Sequence, residues 1–96
     1  MNEAVLVVVE IEEIFDADAL ASYQTAARQQ LLERGGVLVA RGDRVVEGTE
    51  AVKQMLIQRW PSEASFLEWQ ASDAYRPLLE QRRKCVKLRI IILPSV

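Results

Sequence analysis

Ninety-six residues, half of them hydrophobic, suffice for one buried core and leave no room for a second, so residues 1–96 are expected to form a single domain. A net charge of -2 excludes a general attraction to nucleic acid or to an anionic membrane surface. One cysteine and no histidine exclude an intrachain disulfide and remove the commonest neutral-pH base and the commonest zinc or haem ligand.

The N-terminus, Met1-Asn2-Glu3, lacks the positive charge of an export signal, and the apolar run Ala4 to Val9 is too short to span a membrane. A cytoplasmic location is therefore expected. The stretch Ala4 to Glu12 is rich in β-branched residues and predicts the first strand. Its first half is apolar on both faces, so both faces need cover.

Asp16 or Asp18 offers an N-cap for a helix reaching about Glu33. Leu20, Tyr23, Ala27 and Leu31 recur at spacings of three and four and form its apolar stripe, with Arg28, Gln29, Gln30 and Glu33 mostly off it. Arg34 suits the negative end of the helix dipole, and Gly35 supplies the left-handed residue that ends the helix.

Val37 to Arg41 reads as a second strand, Gly42-Asp43 as a turn or bulge, and Val45 to Glu47 as a possible continuation. Glu50 to Trp60 alternates and predicts a third strand. Lys53, Met55, Ile57 and Arg59 share one face, and Gln54, Leu56, Gln58 and Trp60 share the other. Pro61 stops that strand and Ser62 caps a helix carrying Phe66, Leu67 and Trp69, which breaks near Ser72. Asp73 offers a cap for a second helical piece with Pro77 in its first turn, and Val86 to Leu93 is the last strand.

The order is βαββαβ. Right-handed crossovers give an α+β, ferredoxin-like antiparallel sheet ordered 4-1-3-2 with its helices on one face. The helices are expected over Met55, Ile57 and Arg59. The open face then carries Leu6, Val8, Leu56 and Trp60, with Ile91 as a further candidate, and would expose a large apolar patch in water. A homodimer through that face is the expected remedy, burying about 800 Å² per partner. On this assignment an arginine at position 56 would split the dimer.

Several residues in this order resemble the small proteins grouped as domain of unknown function thirteen-thirty, within the dimeric α/β-barrel superfamily. They are Gly35-Gly36, Arg41-Gly42, Glu47-Gly48, Trp60-Pro61-Ser62, then Phe66, Trp69, Ser72, Tyr75, Leu78 and a basic residue at Arg82 or Arg83. The spacing from Ser62 to Arg83 is the most specific part, and the resemblance covers nearly the whole chain. It implies a dimeric α/β barrel in which two sheets face each other. It brings no settled reaction. Superfamily relatives include haem-degrading and cofactor-free monooxygenases and small isomerases, but the histidine that holds haem in some of them has no counterpart here. No cofactor and no metal are expected.

Some side chains suggest chemistry. Cys85 is a nucleophile candidate if Lys84 and Lys87 lower its pKa, or simply a small residue at the start of a strand. Glu10 and Glu12 are either paired carboxylates or cross-strand ion-pair partners of Lys87 and Arg89. Arg82-Arg83-Lys84 is either an anion-binding run or a solvated helix end. Arg41, Arg59, Trp69, Tyr75 and Arg76 form a looser constellation that can hold a ligand. An arginine would bind a carboxylate or enolate, Tyr75 would donate a proton and Trp69 would stack on a flat molecule. The other reading of these five is an aromatic core with rim arginines. Two functions remain open on the sequence: a module that binds a small organic molecule, and a cofactor-free monooxygenase- or isomerase-like enzyme acting on a small organic acid or aromatic compound.

Overall fold

Strand β1 (Val5–Ile14) leads into helix α1 (Ala17–Glu33), followed by β2 (Val37–Gly42), β3 (Gln54–Trp60), α2 (Glu63–Gln70), α3 (Arg76–Cys85) and β4 (Val86–Pro94). The structure is a computed structural model that describes residues 3–48 and 52–95. The sheet order is β2-β3-β1-β4 and every neighbouring pair is antiparallel, so the fold is α+β and ferredoxin-like, with the sheet of one chain open rather than closed into a barrel.

Local chemistry sets the element ends. Asp16 is the N-cap of α1: its carboxylate accepts the Ala19 N–H at 3.0 Å, and Asp18 adds negative charge to the first turn. Gly35 leaves α1 with φ +88°, in the left-handed region that favours glycine. At Gly36 a Cβ would lie 2.8 Å from the Leu31 side chain and 2.9 Å from the Trp60 ring, so the bare backbone lets that indole sit against the helix end. Ser62 and Ser65 exchange hydrogen bonds in a capping box that starts α2.

Three expected elements differ. Val45 to Glu47 adds no strand, because β2 ends at Gly42. The third strand starts at Gln54, not Glu50; Glu50 and Ala51 lie outside the described residues. Asp73 does not cap α3. It pairs with Arg76 at 3.0 Å on the surface, and the Ser72 hydroxyl takes the Tyr75 N–H.

The largest correction concerns the faces of β3. Trp60 is fully buried on the helix side, in contact with Phe66 and stacked on Trp69 with ring centroids 5.3 Å apart. Leu56 shares that side and packs near Ile11 and Leu20. The register pairs Trp60 with Val5, Gln58 with Val7 and Leu56 with Val9, the β1 face that holds the core. The helices therefore cover Leu56, Gln58 and Trp60, and Leu56 and Trp60 are absent from the open face. The physical reason is aromatic: Trp60 has the largest apolar surface on the strand, and only the helix side offers it Phe66 and Trp69.

The opposite face carries Leu6 and Val8 on β1, Met55 and Ile57 on β3, and Ile91 and Leu93 on β4. Leu6 and Leu93 are 36% and 45% exposed, so this surface is apolar and wet in the single chain. Glu10 and Arg89 form a 3.0 Å ion pair at one end of it, and Glu12 meets Lys87 at 3.7 Å, which places both carboxylates in cross-strand pairs. Among the described residues, no helix is long and apolar enough to cross a membrane.

Candidate functional site

Beneath α1 the helices do not close fully on the sheet. A cavity of about 310 Å³ lies between α1, α2, α3 and the helix-side face of the strands. Its walls are Val9, Ile11, Leu56, Phe66, Leu88 and Ile90. Strand alternation puts the wall residues of β1, β3 and β4 on one side, and the α1 stripe supplies Leu20, Ala27 and Leu31 above them.

Besides Gln24, Thr25 and Gln58, the cavity is lined by a cluster of phenols and an arginine inside and by two arginines at the rim. Inside, the hydroxyls of Tyr23 and Tyr75 are 2.5 Å apart. The Arg82 guanidinium donates to the Tyr75 hydroxyl at 2.8 Å and to the Gln70 side-chain carbonyl at 3.2 Å, with its carbon 5.9 Å from the Tyr75 ring centre. Tyr75 is fully buried, whereas Tyr23 and Arg82 are half-buried. At the rim, Arg28 on α1 and Arg41 on β2 line the cavity from exposed positions, and neither makes an ion pair among the described residues. Among the described residues, no aspartate or glutamate lines the cavity.

An aromatic row ties this site to the core. Trp69 stacks on Trp60 and lies 4.6 Å from Tyr75, whose ring meets Tyr23 edge-on at 6.4 Å. The Trp69 indole N–H donates to Gln30 at 3.0 Å, and the Gln30 amide donates to the Ala74 carbonyl, fixing α1 against the turn before α3.

Of the five residues singled out from the sequence, Arg41, Trp69 and Tyr75 line the cavity. Arg59 does not. It stands opposite Leu6 and Val37 on the other face of the sheet, because β3 presents Trp60 to the helices. Arg76 also stays outside, on the surface with Asp73. Arg28 and Arg82 were not singled out: Arg28 reads as an off-stripe helix residue and Arg82 as part of a basic run. The signal for Arg82 is its spacing. It follows Tyr75 by two helical turns and so returns to the same face.

Cys85 is a poor nucleophile here. It is buried at the end of α3, and burial pushes its thiol up, with the Asp16 carboxylate acting in the same direction, so Lys84 and Lys87 do not set its state. Among the described residues, no group of three or more His, Cys, Asp or Glu side chains is placed to hold a metal ion.

Burial also pushes the Tyr23 phenol far above its ordinary range; the Tyr75 hydroxyl adds to this and Arg82 opposes it. Folded Tyr23 thus keeps its proton where an unfolded tyrosine loses it, near pH 10. A group that holds its proton more tightly when folded contributes a loss of stability as pH rises above the unfolded pKa. Tyr23→Phe removes that loss. Denaturant unfolding between pH 8 and 12 is expected to give a wild-type-minus-variant difference that is flat below pH 9. Above about pH 10 the difference moves in the variant's favour by up to about 1.4 kcal/mol per pH unit. A difference that stays flat to pH 12 would contradict the burial of this phenol.

Known proteins share the fold. A family model described as domain of unknown function (DUF1330) matches residues 4–96. None of the curated proteins matches the chain. Among solved structures, a protein of unknown function from Rhodopseudomonas palustris, RPA0582, is 21% identical with a TM-score of 0.82, over 100% of this chain and 85% of its own. A hydroxynitrile lyase from Passiflora edulis is 12% identical with a TM-score of 0.72, over 100% of this chain and 96% of its own. SnoaB, a cofactor-independent oxygenase from Streptomyces nogalater, is 12% identical with a TM-score of 0.63, over 100% and 95%. At these identities the likeness is one of fold.

Proposed function

The chain belongs to the DUF1330 family, whose function is unknown, and on that premise we propose that it binds a small organic anion in the cavity between the helices and the sheet. One observation carries this reading: among the described residues three arginines, Arg28, Arg41 and Arg82, line the cavity and no carboxylate does. The chain as a whole has 14 acidic and 12 basic residues, so a lining whose charged members, among the described residues, are all cations departs from its average. Arginine suits a planar carboxylate or enolate, which it can meet with two parallel hydrogen bonds. The apolar walls suit a hydrocarbon or ring body, and the volume is at the small end of the ligand-site range.

The test is a thermal-shift series with benzoate, benzamide and benzylamine, three ligands of one shape and three charges. Benzoate is expected to raise the melting temperature and benzylamine to leave it unchanged. Equal responses to all three would remove the anion from the reading.

The protein acts as a cytoplasmic homodimer in this account. The support is the apolar face of Leu6, Val8, Ile57 and Ile91, opposite the helices. A two-fold pair of facing sheets covers it, giving the dimeric α/β barrel, with about 800 Å² buried per partner. Since Leu56 lies on the helix side, the informative substitution is Ile57→Glu. Sedimentation at micromolar concentration is expected to give a dimer for the wild type and a monomer for the variant. A folded wild-type monomer would sink the dimer.

A second reading is catalytic: a cofactor-free monooxygenase- or isomerase-like enzyme acting on the bound acid. Two phenols lining the cavity, Tyr75 fully buried and Tyr23 half-buried, favour it, with Tyr75 as the proton donor. Its support from relatives is the shared fold of the cofactor-independent oxygenase SnoaB. Liquid chromatography with mass spectrometry of a bound acid after incubation in air separates the readings: added oxygen marks the oxygenase, a new retention time at unchanged mass marks the isomerase, and a ligand recovered unchanged in both belongs to a binding module.

A further inference from the structure

The two polar clusters of the cavity differ in depth, charge and what they lack. The rim pair, Arg28 and Arg41, is exposed and carries guanidinium groups without a carboxylate among the described residues. A charged ligand group bound there keeps part of its hydration and gains two cations, so its desolvation is mild. The inner cluster is different. Arg82 is already engaged with Tyr75 and Gln70, and Tyr75 with Tyr23.

The inner cluster carries one more hydrogen-bond donor than its own contacts use. The two phenols carry two O–H protons and share a single O···O contact, which uses one of them. Arg82 donates to Tyr75 and accepts nothing, so it cannot take the other. One phenolic O–H is therefore left to donate at the cavity wall, and no protein acceptor for it is found among the described residues. Burial makes Tyr23 hold its proton more tightly than an ordinary tyrosine, so its hydroxyl remains a donor.

The clusters also stand apart. Arg41 lies on the edge strand β2, two strand spacings or about 10 Å from β1. Helix α3, with Arg82, packs its Leu78 and Leu79 into the core together with Ile90 and Ile92 of β4, at the other side of the sheet. Between the clusters the sheet supplies apolar Val9, Leu56 and Ile90, and the amide of Gln58, whose oxygen is taken by the Trp60 indole N–H.

Resting on the anion-binding reading above, we infer that the ligand has two oxygen-bearing ends: a carboxylate held at the rim by Arg28 and Arg41, and an uncharged acceptor oxygen, such as a ketone, that takes the spare proton of the Tyr23–Tyr75 pair. A flat apolar body joins them. The cavity of about 310 Å³ accommodates a single-ring oxo-acid, the simplest member of this class. The rim supplies charge recognition, and the buried pair discriminates against analogues that lack the acceptor, because their hydrocarbon would leave a hydroxyl unpaired.

Three probes of nearly equal shape test this. 4-Acetylbenzoate has both ends, 4-isopropylbenzoate lacks the acceptor oxygen, and 4-methylacetophenone lacks the carboxylate. Calorimetric titration of the protein is expected to give 4-acetylbenzoate the tightest binding, about tenfold over 4-isopropylbenzoate and about a hundredfold over 4-methylacetophenone. In Tyr23→Phe/Tyr75→Phe, the advantage over 4-isopropylbenzoate is expected to vanish while 4-isopropylbenzoate itself binds as before. If that variant does not fold, the wild-type comparison alone decides. Equal binding of the two acids would overturn the two-ended ligand and leave the anion reading intact. Equal binding of the ketone and the acids, or binding of none of the three, would overturn both.

Discussion

Trp60→Ala is expected to lower stability by about 3–5 kcal/mol, the largest single-site loss in the chain. Trp60 is fully buried at the end of β3, with Phe66, Trp69 and the bare backbone of Gly36 around its ring. Its indole N–H donates to Gln58 at 2.8 Å, so truncation also leaves that amide oxygen without its donor. Small domains hold roughly 5–15 kcal/mol in total, so the variant sits near the edge of folding. At about 4 °C per kcal/mol for a domain of this size, the melting temperature falls by at least about 12 °C. Leu32→Ala is the contrast: Leu32 is 54% exposed near the end of α1, and its loss is expected to cost less than about 0.5 kcal/mol. Similar melting temperatures for the two variants would contradict the placement of the aromatic cluster at the centre of the fold.

The second large effect is on binding. Arg28→Ala/Arg41→Ala is expected to weaken benzoate by about a hundredfold, a factor of about ten for each charged hydrogen-bonding partner lost. Stability is expected to change little, because both side chains are exposed and neither closes an ion pair among the described residues. Arg41→Lys keeps the charge and loses the planar fork, so it restores only part of the affinity that Arg41→Ala loses. The same titration in 1 M salt is expected to reduce the wild type's advantage, since rim charges are screened. A double variant that binds benzoate like the wild type would move the anion away from the rim.

The order of elements was readable because each carries a local signature. The β-branched run of β1, the Asp16 cap, the Gly35 stop and the Ser62 cap all act within a few residues of their own position. The face of β3 was not readable in this way. Met55 and Ile57 alternate with Leu56 and Trp60, so both faces look equally apolar, and the choice depends on Phe66 and Trp69 arriving from α2. That inversion displaced Arg59 from the cavity to the opposite face of the sheet. The same kind of context hid Arg82. Within Arg82-Arg83-Lys84 it resembles a solvated helix end, and only the docking of α3 turns it onto Tyr75 while its neighbours stay exposed. Tyr75 and Trp69 were accessible to sequence reasoning because large aromatics in an amphipathic segment must pack somewhere. Arg28 carried no such signal, being one of several polar residues on the outer part of α1.

The most direct test of an anion site at the rim of this cavity is side-chain NMR of the arginines during titration with benzoate. The Nε–Hε resonances of Arg28 and Arg41 are expected to shift together and saturate at one ligand per chain, with those of Arg59 and Arg76 unmoved, because they lie on the far face of the sheet and beside Asp73. A saturable response confined to Arg59, or no response at Arg28 and Arg41 while benzoate binds, would contradict it.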